Sequence, residues 1–216
     1  MSWNRRIIFL CGEAEGDAFR RHVEVMAPGL ETLWCSSLSS LDLATRSGGH
    51  RTRLITFLTN VIVPETILAR LRPQPINIHP GPPEFPGAHG LVFAIFNGAR
   101  SFGVTAHEMT AKVDDGPILM VDRFGLPGDA ELVSFGNEVY ARAVAIADHV
   151  IRHCVSTDAP LPPARGESWS ANHCTNKRLR ALLTASSHLL PDDYRRLRRA
   201  CGPHFDAFEK DRRLHG

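Results

Sequence analysis

The chain has 216 residues, 43% hydrophobic and 22% charged, with a formal net charge of +2 at pH 7. That length supports one substantial core, or a core domain with a short appendage. So small a net charge gives no field that argues for nucleic acid, and no apolar run approaches the roughly 18 residues of a membrane helix.

RRIIFLCG at the start reads as a short buried strand. Its basic residues before IIFLC imitate a leader, but the apolar run is too short and acidic residues follow at once. GDAFRRHVEVMA has the apolar spacing of a helix, LETLWCSSL reads as a second strand, and LSSLDLATRSGGH as an irregular stretch closed by Gly48 and Gly49. RLITFLTNVIV, β-branched and apolar, fits a central parallel strand. Pro64 starts a short helix, PETILARLR, stopped by Pro73 and Pro75; PINIH is the next strand and LVFAIFNGA a helix ended by Gly98. FGVTAHEMTAKVDDGPILMVDRFGLP reads as two strands joined through KVDDG, where Asp-Gly supplies the turn. From Asn137 to Cys154 apolar residues recur at three- and four-residue steps, as on an amphipathic helix of about five turns. Such alternation implies an α/β, Rossmann-like, doubly wound fold with a mostly parallel sheet. The Pro-rich TDAPLPPARGES divides a domain over 1–156 from a short helical extension over 157–216. The extension's basic residues fit a solvated helix packed through Leu182, Leu183, Tyr194 and Leu197.

Cys11, Cys35, Cys154, Cys174 and Cys201 are odd in number and scattered, which favours reduced thiols in the cytoplasm. The eleven histidines form no close ligand pair on a helix, so no metal is expected. More pointed is INIHPGPPEFPGAHG, where a strand ends in Asn77 and His79 before a stiff proline loop. Two residues apart in extended chain, both side chains face the same way. Asn can donate a hydrogen bond to a developing oxyanion, and His can exchange a proton near neutrality. Farther on, His107 is followed by Asp114, and a carboxylate near His79 would raise its pKa and orient it.

Together these pieces resemble the 10-formyltetrahydrofolate-dependent formyltransferases. N-I-H-P at 77–80, G-V-T-A-H at 103–107 and D-D-G-P at 114–117 carry the resemblance, which spans residues 55–155. It implies Asn77, His79 and Asp114 as catalytic residues, with His107 supporting. Asp115 stands where the family has a small residue, which leaves the choice of carboxylate open. TFLTNVIVP resembles the segment lining the pterin pocket, so Leu58, Asn60, Ile62 and Val113 are the implied contacts to N10-formyltetrahydrofolate.

Among branches, residues 168–216 are few for the tRNA-binding domain of a methionyl-tRNA formyltransferase. A formyltetrahydrofolate hydrolase would have a regulatory domain before the first strand. Glycinamide ribonucleotide formyltransferases hold a phosphate on the loop after strand one, where this chain carries Glu13, Glu15 and Asp17. The expectation is therefore a cytoplasmic enzyme acting on a small-molecule amine, a nucleotide-linked amino sugar or an amino-acid-derived amine, with neither nucleic acid nor membrane as partner. The likeness to the sugar enzymes adds a homodimer. The glycinamide ribonucleotide branch and a non-catalytic folate-binding member of the fold are the alternatives.

Overall fold

A computed structural model describes residues 5–46 and 51–215. Six strands form one sheet in the order β2-β1-β3-β4-β5-β6: β1 Arg6–Leu10, β2 Glu31–Cys35, β3 Thr52–Phe57, β4 Ile76–His79, β5 Ser101–Glu108 and β6 Ile118–Gly125. β1 pairs parallel with β2 and β3, and β3 with β4, while β4 and β5 run antiparallel. The chain steps from β1 to β2 on one side and then to β3 on the other. Ligands of open α/β sheets collect at such a reversal, beyond the carboxyl ends of the strands.

The helices are α1 Glu13–Met26, α2 Leu38–Thr45, α3 Glu65–Leu68, α4 Gly90–Phe96, α5 Leu132–Ser156, α6 Asn176–Thr184, α7 Pro191–Cys201 and α8 Pro203–His215. Four expectations need correction. LSSLDLATRSGGH is not irregular at its start: Ser37 caps α2 through a reciprocal capping box with Ser40. The Ser-Ser-Leu-Ser-Ser run is thus a helix entry, while Gly48 and Gly49 lie outside the described residues. β3 stops at Phe57, and 58–63 is a loop, because Leu58 takes φ 46° and breaks the extended run. α3 holds only Glu65–Leu68. α5 begins at Leu132, before the apolar period becomes regular.

The chain divides into two units, neither continuous in sequence. The first comprises 1–79, 105–121 and 143–167. Its strands feed apolar layers on both faces, since successive side chains alternate. Ile8 and Leu10 of β1 join Leu41, Leu54, Ile67, Leu68 and Leu71 on one face. Phe9, between them, packs on Phe19 of α1, whose ring also meets Phe57 edge-on. The second unit comprises 80–104, 122–142 and 168–216. Phe102 lies among Phe85, Phe124 and Phe135 at centroid distances of 6.2 to 6.5 Å. α7 buries Leu197, Ala200 and Cys201, carries Asp192 and Asp193 in its first turn and Arg198 and Arg199 in its last, and ends at Gly202 with φ 51°. That charge order complements the helix dipole, and the left-handed stop suits glycine.

Candidate active site

Ile76 and Ile78 are fully buried, so the alternate residues of β4, Asn77 and His79, share the other face. Register then sets their neighbours. Asn77 lies opposite Thr56 of β3 and His107 of β5, which places three side chains in one row across the sheet. The row is bonded throughout: Thr56 Oγ1 donates to Asn77 Oδ1 at 2.5 Å, Asn77 Nδ2 lies 2.9 Å from His107 Nε2, and His107 Nδ1 lies 2.8 Å from the Glu108 carbonyl.

Asp114 reaches the row from the loop between β5 and β6. Two backbone bonds close that loop, Glu108 N–H to the Pro117 carbonyl and Met109 N–H to the Pro75 carbonyl, each 2.9 Å. Gly116 lets the strands approach, since a Cβ there would run into the Glu108 carbonyl oxygen. Asp114 itself takes φ 48°, a left-handed conformation that Asp tolerates better than most residues. This turn sends two consecutive acids in different directions. Asp114 is 4% exposed, with Oδ2 3.4 Å from His79 Nδ1 and Oδ1 3.4 Å from His107 Nε2. Asp115 is exposed and pairs with Lys112 at 3.6 Å. One buried carboxylate therefore faces two imidazoles, the geometry that holds a histidine proton in a chosen place.

On the segments that follow Thr56 and precede Asp114 in sequence, the first unit shows exposed apolar side chains. Leu58, directly after β3, is 39% exposed, Ile62 66% and Val113 50%, and Asn60 is exposed beside them in sequence. Burial pushes the Cys11 thiol, at the end of β1, up to about 12. Glu13 and Glu15, expected on a loop, stand instead in the first turn of α1, and the Glu15 carboxylate folds back against Gly12, the N-cap of that helix. The helix thus carries its own anion where a phosphate would otherwise be favoured.

The structure gathers Asn77, His79, His107 and Asp114 in the first unit and sets Asp115 outside the cluster. His89, from the same proline loop as His79 in sequence, belongs to the second unit, where Nε2 lies 2.5 Å from Asn176 Oδ1. Sequence reasoning passed over Thr56, because a threonine in a β-branched run looks like strand propensity. Its signal was the alternation, which puts the hydroxyl on the face where a strand of this kind otherwise carries apolar groups. Among the described residues no group of His, Cys, Asp and Glu could hold a metal ion, and no helix is long and apolar enough to cross a membrane.

The chain forms a doubly wound α/β sheet whose fourth strand presents Asn-x-His to a buried carboxylate. Its fold is shared with a sugar N-formyltransferase from a Shewanella species, at TM-score 0.69 and 17% identity, covering 92% of this chain and 88% of that one. A 4-N formyltransferase from Francisella tularensis gives TM-score 0.71 and 15% identity over 94% of this chain and 90% of that one. HypX from Aquifex aeolicus in complex with tetrahydrofolic acid gives TM-score 0.58 and 19% identity over 93% of this chain, which spans only 35% of that protein's length. Residues 56–140, the segment that holds Thr56, Asn77, His79, His107 and Asp114, match the formyl transferase family model. A search of curated protein sequences gave no match.

Proposed function

We propose that this chain is an N-formyltransferase that moves a formyl group from N10-formyltetrahydrofolate to the primary amine of a small molecule, a nucleotide-linked amino sugar or an amino-acid-derived amine. The observation that carries the reading is the buried Asp114 facing His79 at 3.4 Å, two residues from Asn77 at the carboxyl end of β4. The donor set also fits the folate: Leu58, Ile62 and Val113 are apolar side chains held in solvent, as a flat pteridine would need, and Asn60 adds a polar partner. When bound, the formyl-folate supplies an electrophilic carbon that the acceptor amine attacks, with loss of the bond to N10. Asn77 donates an amide N–H to the oxygen as it gains charge, and His79 donates from its ring. Asp114 holds His79 in the charged, oriented form and takes up the amine proton through water, which passes to the departing folate nitrogen. The products are a formamide and tetrahydrofolate, with no covalent enzyme intermediate.

The Glu15 carboxylate lying against Gly12 speaks against the glycinamide ribonucleotide branch, whose phosphate would meet that charge. The fold relatives that are sugar N-formyltransferases support the amino-sugar branch. The test is formyl transfer from 10-formyltetrahydrofolate to a panel of nucleotide-linked amino sugars, amino-acid-derived amines and glycinamide ribonucleotide. Transfer to a sugar amine is expected. Transfer to glycinamide ribonucleotide alone overturns the branch, and folate binding without transfer to any amine overturns the enzyme.

A further inference from the structure

We propose that Thr56 and His107 are positioning residues that fix which way the Asn77 carboxamide points, so that Asn77 meets the formyl oxygen as a donor. This rests on the reading of Asn77 given above.

A carboxamide can turn over, exchanging oxygen and nitrogen, and its neighbours decide which orientation holds. Here the deciding group is the Glu108 carbonyl, 2.8 Å from His107 Nδ1. A carbonyl only accepts, so Nδ1 must carry the hydrogen. In the neutral ring Nε2 then has a lone pair, and it accepts from Asn77 Nδ2 at 2.9 Å. Asn77 Oδ1 is thereby turned to β3, where the Thr56 hydroxyl donates to it at 2.5 Å. Met109 Sδ also lies 3.7 Å from that hydroxyl, but a thioether is the weaker acceptor. From Thr56 to Glu108 every donor meets an acceptor.

The reversed carboxamide breaks this order. Asn77 Oδ1 would face Nε2, which would need a hydrogen of its own, and with Nδ1 already protonated His107 would become a cation. Its Nε2 lies 3.4 Å from Asp114 Oδ1, and the other oxygen of that carboxylate faces His79. A charged His107 would then compete with His79 for Asp114. In the neutral arrangement Asn77 keeps a second N–H, and the residue is only half-buried, so a bound ligand can reach it. Thr56 itself is 1% exposed. Valine, equally β-branched, would fill the same space with no polar atom to satisfy, so burial alone gives no reason for a hydroxyl here.

The test compares Thr56→Val and Thr56→Ser with the wild type, using 10-formyltetrahydrofolate and whichever panel amine the wild type formylates. Thr56→Val is expected to lower kcat about tenfold, the size of one lost hydrogen bond, with KM for the folate unchanged. Thr56→Ser should restore most of it. Nuclear magnetic resonance of 15N-histidine-labelled protein should show His107 as the neutral Nδ1–H tautomer at pH 7.5. Wild-type kcat in Thr56→Val, a loss that Thr56→Ser fails to rescue, or an Nε2–H signal for His107 each overturns the proposal. If no panel amine is formylated, the functional reading fails by itself, and the histidine spectrum still decides the orientation.

Discussion

Replacing Asp114 with Asn changes the site's charge while leaving its shape. Asn matches Asp in size and is equally tolerated at the φ of 48° found here, so the loop backbone should hold. An alanine would add backbone strain and blur the result. What Asn removes is the negative charge between His79 and His107, each 3.4 Å away in a group that is 4% exposed. In the proposed transfer only the His79 contact strengthens as the oxyanion forms, so one charge-assisted contact is lost, about 1.5–3 kcal/mol. At 1.36 kcal/mol per decade that is a fall in the transfer step of about 10- to 150-fold. Single-turnover transfer from 10-formyltetrahydrofolate, with folate affinity and thermal midpoint measured in parallel, reads all three consequences. Affinity and midpoint should stay close to the wild type. Asp115→Asn is the control, because Asp115 pairs with Lys112 at the surface, and it should change turnover by less than about twofold. A transfer rate for Asp114→Asn within about threefold of wild type would refute the reasoning, as would a larger loss in Asp115→Asn.

Gly116→Ala drives a Cβ into the Glu108 carbonyl, which the loop cannot move freely, so it should destabilise by about 1–3 kcal/mol in urea and disarm Asp114 as well. An unchanged midpoint with full activity would show that the loop yields. Leu197→Ala empties a fully buried site in α7 and should cost about 2–5 kcal/mol, against which a loss under about 1 kcal/mol would count. All five cysteines are free and buried, so Ellman's reagent at pH 8 should label none of them quickly in the native protein and all five in denaturant. Burial raises the Cys11 thiol from an ordinary value near 9 to about 12 and the Cys201 thiol to about 11. The unfolded chain releases those protons first, so stability should fall as pH rises above about 9 and through those values; a flat alkaline limb in urea titrations would contradict this.

Much of the architecture was legible because it is locally encoded. Alternating and helical apolar periods marked the strands and the long helix, and turn residues marked the β5–β6 connection. Where the reading slipped, the local signal was shared by two structures: the serines before α2 suit a loop as well as a capping box, and LITFLTNVIV stays apolar beyond the point where Leu58 turns. The motif residues Asn77, His79, His107 and Asp114 could be named because N-I-H-P, G-V-T-A-H and D-D-G-P together resemble the formyltransferase pattern; taken singly, the same stretches read as a proline turn and a hairpin.

Their relations could not. The resemblance favours Asp114 and leaves Asp115 open; a left-handed backbone separates the two, turning one acid inward and the other to Lys112. The place of Thr56 and His107 on either side of Asn77 follows from the register of three strands, with partners 21 and 30 residues away. Hydrogen-bond direction depends on which groups meet across the sheet, and only folding brings them together.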